Sequence, residues 1–224
     1  LQDYDQDHFG GPAATDALAQ LANIEKSDHV VDVCCGLGGP ARYIAHNYGC
    51  RVTGIDMNRN RIDGARRLTE RVGLKNQVSF HRANALANKL PENSFDSLIA
   101  QEAFCHIPDK PRLLAECVRV IRPGGYIAFT DILAGTGMPE SVRDRLQREM
   151  AFTELNTLNG YRALLDSNDC IVKDIEDLTE SWAEILVKRL DMYRSLKDQT
   201  VESFGQAHFD KWDSAYSFFV GLYD

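Results

Sequence analysis

The chain has 224 residues, a formal net charge of −8, 44% hydrophobic and 26% charged residues. That length builds one domain with a full core, or one domain plus a small cap, of ordinary globular composition. No apolar run approaches a membrane span, no signal peptide is visible, and no basic face stands out to neutralise the phosphates of a nucleic acid. No nucleic-acid and no membrane partner is therefore expected.

Residues 1–11 (LQDYDQDHFGG) read as a mobile lead-in, in which Tyr4, His8 and Phe9 are candidates for a lid. Pro12 starts a helix with Ala17, Leu18, Leu21 and Ile24 on one face. Val30, Val31 and Val33 make a first strand that runs into a glycine turn. A helix follows from Ala41 to Asn47, and a second strand from Arg51 ends on Asp56. Residues 59–72 are predicted helical through Ile62, Ala65, Leu68 and Val72. Strands three and four are read at Gln77–Arg82 and Phe95–Gln101. Leu113, Leu114, Cys117, Val118 and Ile121 form the next helical face, stopped by Arg122-Pro123-Gly124-Gly125 before a fifth strand at Tyr126–Asp131. Strands alternating with helices predict an α/β fold: a Rossmann-like parallel sheet with right-handed crossovers, flanked by helices.

The rhythm changes after Asp131. Helices are predicted at 141–155 and 160–168, a strand at 171–175, one long helix over 181–204, and a last helix bearing Phe209, Trp212, Tyr216 and Phe219. That aromatic stripe reads as core or as the face of a homodimer. The expected organisation is an N-terminal lid and helix (1–24), a Rossmann-like cofactor-binding core (25–133), and a C-terminal helical cap with a sheet strand (134–224). The chain begins at Leu1 rather than Met and stops at Asp224 where a seventh strand would begin, so missing residues are expected at both ends. The six cysteines (34, 35, 50, 105, 117, 170) show no zinc spacing and suit a reducing cytoplasm; no metal site is read.

The stretch from 30 to 58 carries the chemistry. Gly36 and Gly38 let the backbone approach a ligand. Asp56 follows Gly38 at a spacing close to the ~20 residues at which an acid reaches ribose hydroxyls. Gly36, Gly38 and Ala41 also fit the G-x-G-x-x-A of a dinucleotide site, and an NAD-linked oxidoreductase is the corresponding alternative. Asp32 argues against it, because a carboxylate there repels pyrophosphate. It suits a ligand with a sulfonium and an ammonium group, which is S-adenosylmethionine.

At Asp32-Val33-Cys34-Cys35-Gly36-Leu37-Gly38 the chain resembles the class I S-adenosylmethionine-dependent methyltransferases of the small-molecule type, whose first motif runs roughly Asp-x-Gly-x-Gly-x-Gly. Cys34 stands in place of the first glycine. The resemblance spans about 28–131. It implies a cofactor site of Asp32, Cys34, Gly36, Gly38, Asp56, Met57 against adenine, Asn84 where the family commonly has an Asp for the adenine amino group, Ala85 through its amide, and Gln101 beneath the methionine portion. S-adenosylhomocysteine is the implied product. The stretch from Gln101 to Asp109 resembles the loop after strand four of small-molecule methyltransferases. In some sugar O-methyltransferases a His on that loop and an Asp after strand five act on the substrate hydroxyl, which makes His106 and Asp131 the catalytic candidates. More loosely the chain resembles sarcosine/dimethylglycine N-methyltransferases and sugar or polyketide O-methyltransferases. The expected reaction is methylation of nitrogen or oxygen in a small metabolite. The alternatives are a terpenoid or polyketide C-methyltransferase and a non-catalytic cofactor-binding subunit. Arg42, one turn into the helix after the glycine turn, is expected to be solvated, with an acidic substrate group or a nearby carboxylate as the alternative partner.

Overall fold

The computed structural model describes residues 5–223. Five strands, β1 (His29–Val33), β2 (Arg51–Asp56), β3 (Val78–Arg82), β4 (Phe95–Gln101) and β5 (Ile121–Thr130), form one parallel sheet in the order β3-β2-β1-β4-β5. Strands covered on both faces have no reason to alternate apolar with polar, and the central ones do not. Val30 to Val33 of β1 and Ser97 to Ala100 of β4 are all buried. Asp32 stands inside β1, opposite Gly54 of β2 and Ile99 of β4.

Three α-helices connect the strands, one precedes them and one packs from beyond β5. α1 (Gly11–Leu21), α2 (Gly39–Tyr48) and α3 (Arg59–Arg71) build a core with one sheet face through Leu18, Ala41, Ile44, Ile62, Val52 and Phe80. α4 (Lys110–Val120) and Tyr161 of α6 (Leu158–Asp166) build the other with Val31, Ile55, Leu98, Leu113 and Leu114. Local chemistry sets the helix ends. The Asn58 side chain accepts from the amides of Asn60 and Arg61, and that of Asp109 from Arg112, satisfying donors that a helix leaves open.

Several details differ from the sequence reading. Leu21 is exposed, and Thr15 and Ala19 are buried beside Leu18 in its stead. Arg122 to Gly125 lie within β5: the strand starts at Ile121, opposite Phe95, and an irregularity absorbs Arg122–Gly125 before Ser97 meets Tyr126. The residues read as a helix stop thus act as a bulge. Residues 171–175 form no strand, and Ile171 is 79% exposed.

The chain divides into two compact units, residues 1–137 with 153–174, and 138–152 with 175–224. The second contains α5 (Glu140–Met150), α7 (Thr179–Ser195), α8 (Lys197–Phe204) and α9 (Gln206–Val220). The single helix expected over 181–204 is two, separated at Leu196. Trp182, Leu186 and Leu190 of α7 and Phe209 and Phe219 of α9 are buried, and Tyr193 stacks on Phe209 with centroids 5.0 Å apart. Trp212 faces outward. Among the described residues no helix is long and apolar enough to cross a membrane.

Candidate active site

Parallel strands present all their carboxyl ends along one edge of the sheet, where ligands of open α/β sheets bind. At that edge β1 passes into the turn Cys34–Gly38. Three of its residues have left-handed backbones: Cys34 (φ 64°), Gly36 (φ 54°) and Gly38 (φ 80°). An L side chain pays a steric penalty there, and Cys34 occupies the position at which the motif carries its first glycine. Gly38 is required twice over, since a Cβ on it would collide with the ring of Phe80.

Asp32 is 3% exposed, and its Oδ2 has no hydrogen-bond partner. Burial, and then the charge of Asp56, push its pKa up to about 7, against the partial relief given by Arg42 and the amide of Ala41. A buried carboxylate with an unused oxygen is costly unless a cation or donor completes it. The carboxylate of Asp56 accepts from the amide of Gly36 at 3.1 Å and from that of Asn58 at 2.8 Å, which ties the end of β2 to the glycine turn. Met57 beside it is 69% exposed. After β3, Asn84 Oδ1 accepts from the amide of Leu86 at 3.0 Å, and Ala85 is buried. Gln101 ends β4, with Thr15 Oγ1 and His8 Nδ1 each 3.2 Å from its amide group.

Residues 5–9, read as part of a mobile lead-in, make specific contacts with this edge. Arg42 is buried rather than solvated: Nη2 meets Asp5 Oδ2 at 2.5 Å, and Nη1 donates to Thr69 at 3.1 Å. The Asp5 carbonyl lies so close to Gly39 that a Cβ there would collide with it. His8 and Phe9 are buried, and the Phe9 amide donates to both carboxylate oxygens of Glu102, at 2.8 and 3.0 Å. Tyr4 lies outside the described residues.

His106 ends a one-turn 3-10 helix (Phe104–His106) after β4 and is exposed. Asp131 follows β5. Its Oδ1 accepts from the amide of Cys105 at 2.8 Å and its Oδ2 from the hydroxyl of Tyr161 at 2.6 Å. Burial raises the pKa of Asp131 while those two hydrogen bonds oppose the rise. Lys110 is 1% exposed and donates to the carbonyls of Ile107 and Glu154, both at 2.6 Å; burial lowers its pKa. Asp131 and Lys110 therefore fix the loop carrying His106 from both sides. Sequence reasoning missed Lys110 and Tyr161 as parts of this region, and it placed Arg42 and Glu102 here without their partners Asp5 and Phe9. Each is defined by a partner distant in sequence.

Residues 31–129 match the family profile of a methyltransferase domain. Phosphoethanolamine N-methyltransferase 1 of Zea mays is 29% identical over 90% of this chain and 40% of its own length. Sterol 24-C-methyltransferase of Eremothecium gossypii is 33% identical over 75% of this chain and 50% of its own. The chain thus spans half or less of the length of these two relatives. The structure of Haemonchus contortus phosphoethanolamine N-methyltransferase 2, in complex with phosphomonomethylethanolamine and S-adenosylhomocysteine, superposes with a TM-score of 0.85 at 23% identity, covering 95% of this chain and 49% of that one.

Residues 31–129 thus resemble a methyltransferase domain, and the fold is the Rossmann-like one expected. The residues present suit S-adenosylmethionine. The unused oxygen of Asp32 offers an anionic acceptor, the turn from Cys34 to Gly38 lets backbone approach, and Asp56 sits one strand away in β2.

Proposed function

We propose that the chain transfers the methyl group of S-adenosylmethionine to a nitrogen or oxygen of a small metabolite and releases S-adenosylhomocysteine. The observation that carries this reading is Asp32 Oδ2, a buried carboxylate oxygen without a partner beside a glycine turn at the carboxyl end of the first strand. In the proposal Asp32 receives the cofactor's ammonium group and Asp56 its ribose hydroxyls. Met57, Asn84 and Ala85 meet the adenine. Gln101 and the backbone around Cys34 meet the methionine portion. Methyl transfer from a sulfonium is an in-line displacement, so the protein contributes proximity and exclusion of water, and a base when the acceptor is a hydroxyl. His106 is the proposed base. Asp131, with both oxygens engaged by Cys105 and Tyr161, serves by holding the loop on which His106 sits.

An amine acceptor is favoured by charge. Asp32, Asp56, Glu102 and Asp131 all lie at the strand ends, Arg42 and Lys110 are committed to internal partners, and Arg61 and Arg82 stand on the exposed rim against Asp7 and the Met57 carbonyl. Such an edge attracts a cationic amine, which must shed a proton before it can attack. The likeness to a sterol 24-C-methyltransferase supports a second reading, methylation of carbon. A cytoplasmic setting suits the six free cysteines. A homodimer through the outward face of α9 at Trp212 belongs to the same proposal and is checked by sedimentation. Calorimetry with S-adenosylmethionine, S-adenosylhomocysteine and NADH comes first: micromolar binding of the first two and none of the third is expected, and NADH binding alone refutes the reading. On an amine, a hydroxyl and an olefin panel, His106→Ala is expected to lower hydroxyl turnover at least a hundredfold. Unchanged turnover on the preferred hydroxyl acceptor rules out base-dependent O-methylation.

A further inference from the structure

The amino ends of β1, β2 and β3, at the opposite edge from the glycine turn, border a solvent-open cavity of about 190 Å³. It is lined by His29, Arg51, Thr53, Lys75, Gln77 and Ser79 among others, with no Asp or Glu in the lining. In a chain of charge −8 a lining with Arg51 and Lys75 and no acid is unusual. The register explains how the polar groups gather. His29 pairs with Arg51, and Thr53 with Ser79, so these four side chains line one face of the sheet at neighbouring positions. Parallel sheets are normally covered on both faces. Here β3 returns to β4 through residues 83–94 without a helix, and no helix of that crossover lies over this corner.

Hydroxyl and imidazole groups make a continuous chain across it. His29 Nε2 lies 2.8 Å from Thr53 Oγ1, which lies 3.3 Å from Ser79 Oγ. Burial and the Arg51 charge lower the pKa of His29, Asp96 opposes them, and the Phe95 ring packs against the imidazole with centroids 4.5 Å apart. No ion pair reaches Arg51 among the described residues, and Lys75 has only Glu70 at 4.0 Å on an exposed flank. Cationic side chains, hydroxyl donors and an imidazole around a cavity with no carboxylate in its lining are the chemistry of a phosphate-type dianion site; Asp96, which accepts from the His29 backbone amide, is paired with Arg122.

We propose that this cavity binds a phosphate group, free or as a monoester, at a second site at the far ends of the strands from the methyl-transfer edge. The whole chain is titrated with inorganic phosphate and with methyl phosphate, against chloride at equal ionic strength, while the His29 ring protons are followed by NMR and assigned with His29→Gln. A saturable shift at millimolar phosphate or below is expected. The double variant Arg51→Gln, Lys75→Gln is expected to weaken it at least fivefold and Ser79→Ala at least twofold, with S-adenosylmethionine affinity unchanged in both. Saturation by inorganic phosphate alone assigns the free anion, and saturation by methyl phosphate as well assigns the monoester; both support the site. A shift linear in concentration, one matched by chloride, or one unaltered in the double variant overturns it. Ser79→Ala, which removes only a hydroxyl, keeps the test decisive should the double variant fold poorly.

Discussion

Replacing Asp32 by Asn should separate stability from cofactor binding, in opposite directions. The native carboxyl has a pKa raised from 3.8 to about 7. Between those values the native chain holds a proton that the unfolded chain has released, so native stability falls as pH rises through this window. The full loss above pH 7 is about 4 kcal/mol, from ~1.4 kcal/mol for each pH unit. Asn cannot ionise and escapes that loss, but its amide leaves a buried group incompletely bonded at a cost of about 1–3 kcal/mol. The net expectation without cofactor at pH 8 is a gain of about 2 kcal/mol, or about 4–8 °C in Tm for a chain of this size. At pH 4, where the native carboxyl is already neutral, the gain disappears and the variant is equal to the parent or weaker. Cofactor binding moves the other way. The parent must ionise Asp32 to meet an ammonium group, so its affinity should fall about tenfold for each pH unit below 7, with proton release near pH 6. The variant should bind at least tenfold more weakly at pH 8, having lost a hydrogen bond between charged groups worth about 1.5–3 kcal/mol. Scanning calorimetry at pH 4 and pH 8, and titration calorimetry in buffers of different ionisation enthalpy, read both effects. A variant equally destabilised at both pH values, with unaltered cofactor affinity, refutes the reasoning.

Asp56→Ala should weaken cofactor binding at least tenfold, and calorimetric titration finding the parent affinity contradicts this. Cys34 has a left-handed backbone, so Cys34→Val should be less stable than Cys34→Gly by about 1–2 kcal/mol in urea unfolding, and equal midpoints disprove strain at that position. Arg42→Ala leaves Asp5 buried without its partner and should cost about 3–5 kcal/mol, whereas the double change Arg42→Met, Asp5→Leu should recover most of it. Chemical denaturation of the two variants side by side decides the point.

The sheet from β1 to β4 was legible because each strand is a short apolar run bounded by turn residues, and its register follows from parallel crossovers that permit little choice. Asp32 was legible for a different reason: a carboxylate beside a glycine turn repels pyrophosphate and suits an ammonium group, and the structure adds that it is buried within β1. Cys34 was flagged by its departure from a glycine motif, and its φ of 64° gives the departure a physical meaning. The places where sequence reading failed share one cause. Arg42 looks like any helix arginine until Asp5, 37 residues earlier, folds onto it. Arg122–Gly125 carries the signature of a helix stop, and pairing of Ile121 with Phe95 draws it into a strand. The β-branched residues at 171–175 have strand propensity, but propensity does not supply a neighbouring strand to pair with. The sequence by itself determined the order of the elements, the glycine turn and the acid just before it, because those depend on local backbone geometry and on side-chain types at short spacing. Only the tertiary structure decided which charges are neutralised by distant partners and which remain for a ligand, because burial and Coulomb energy depend on distances in space.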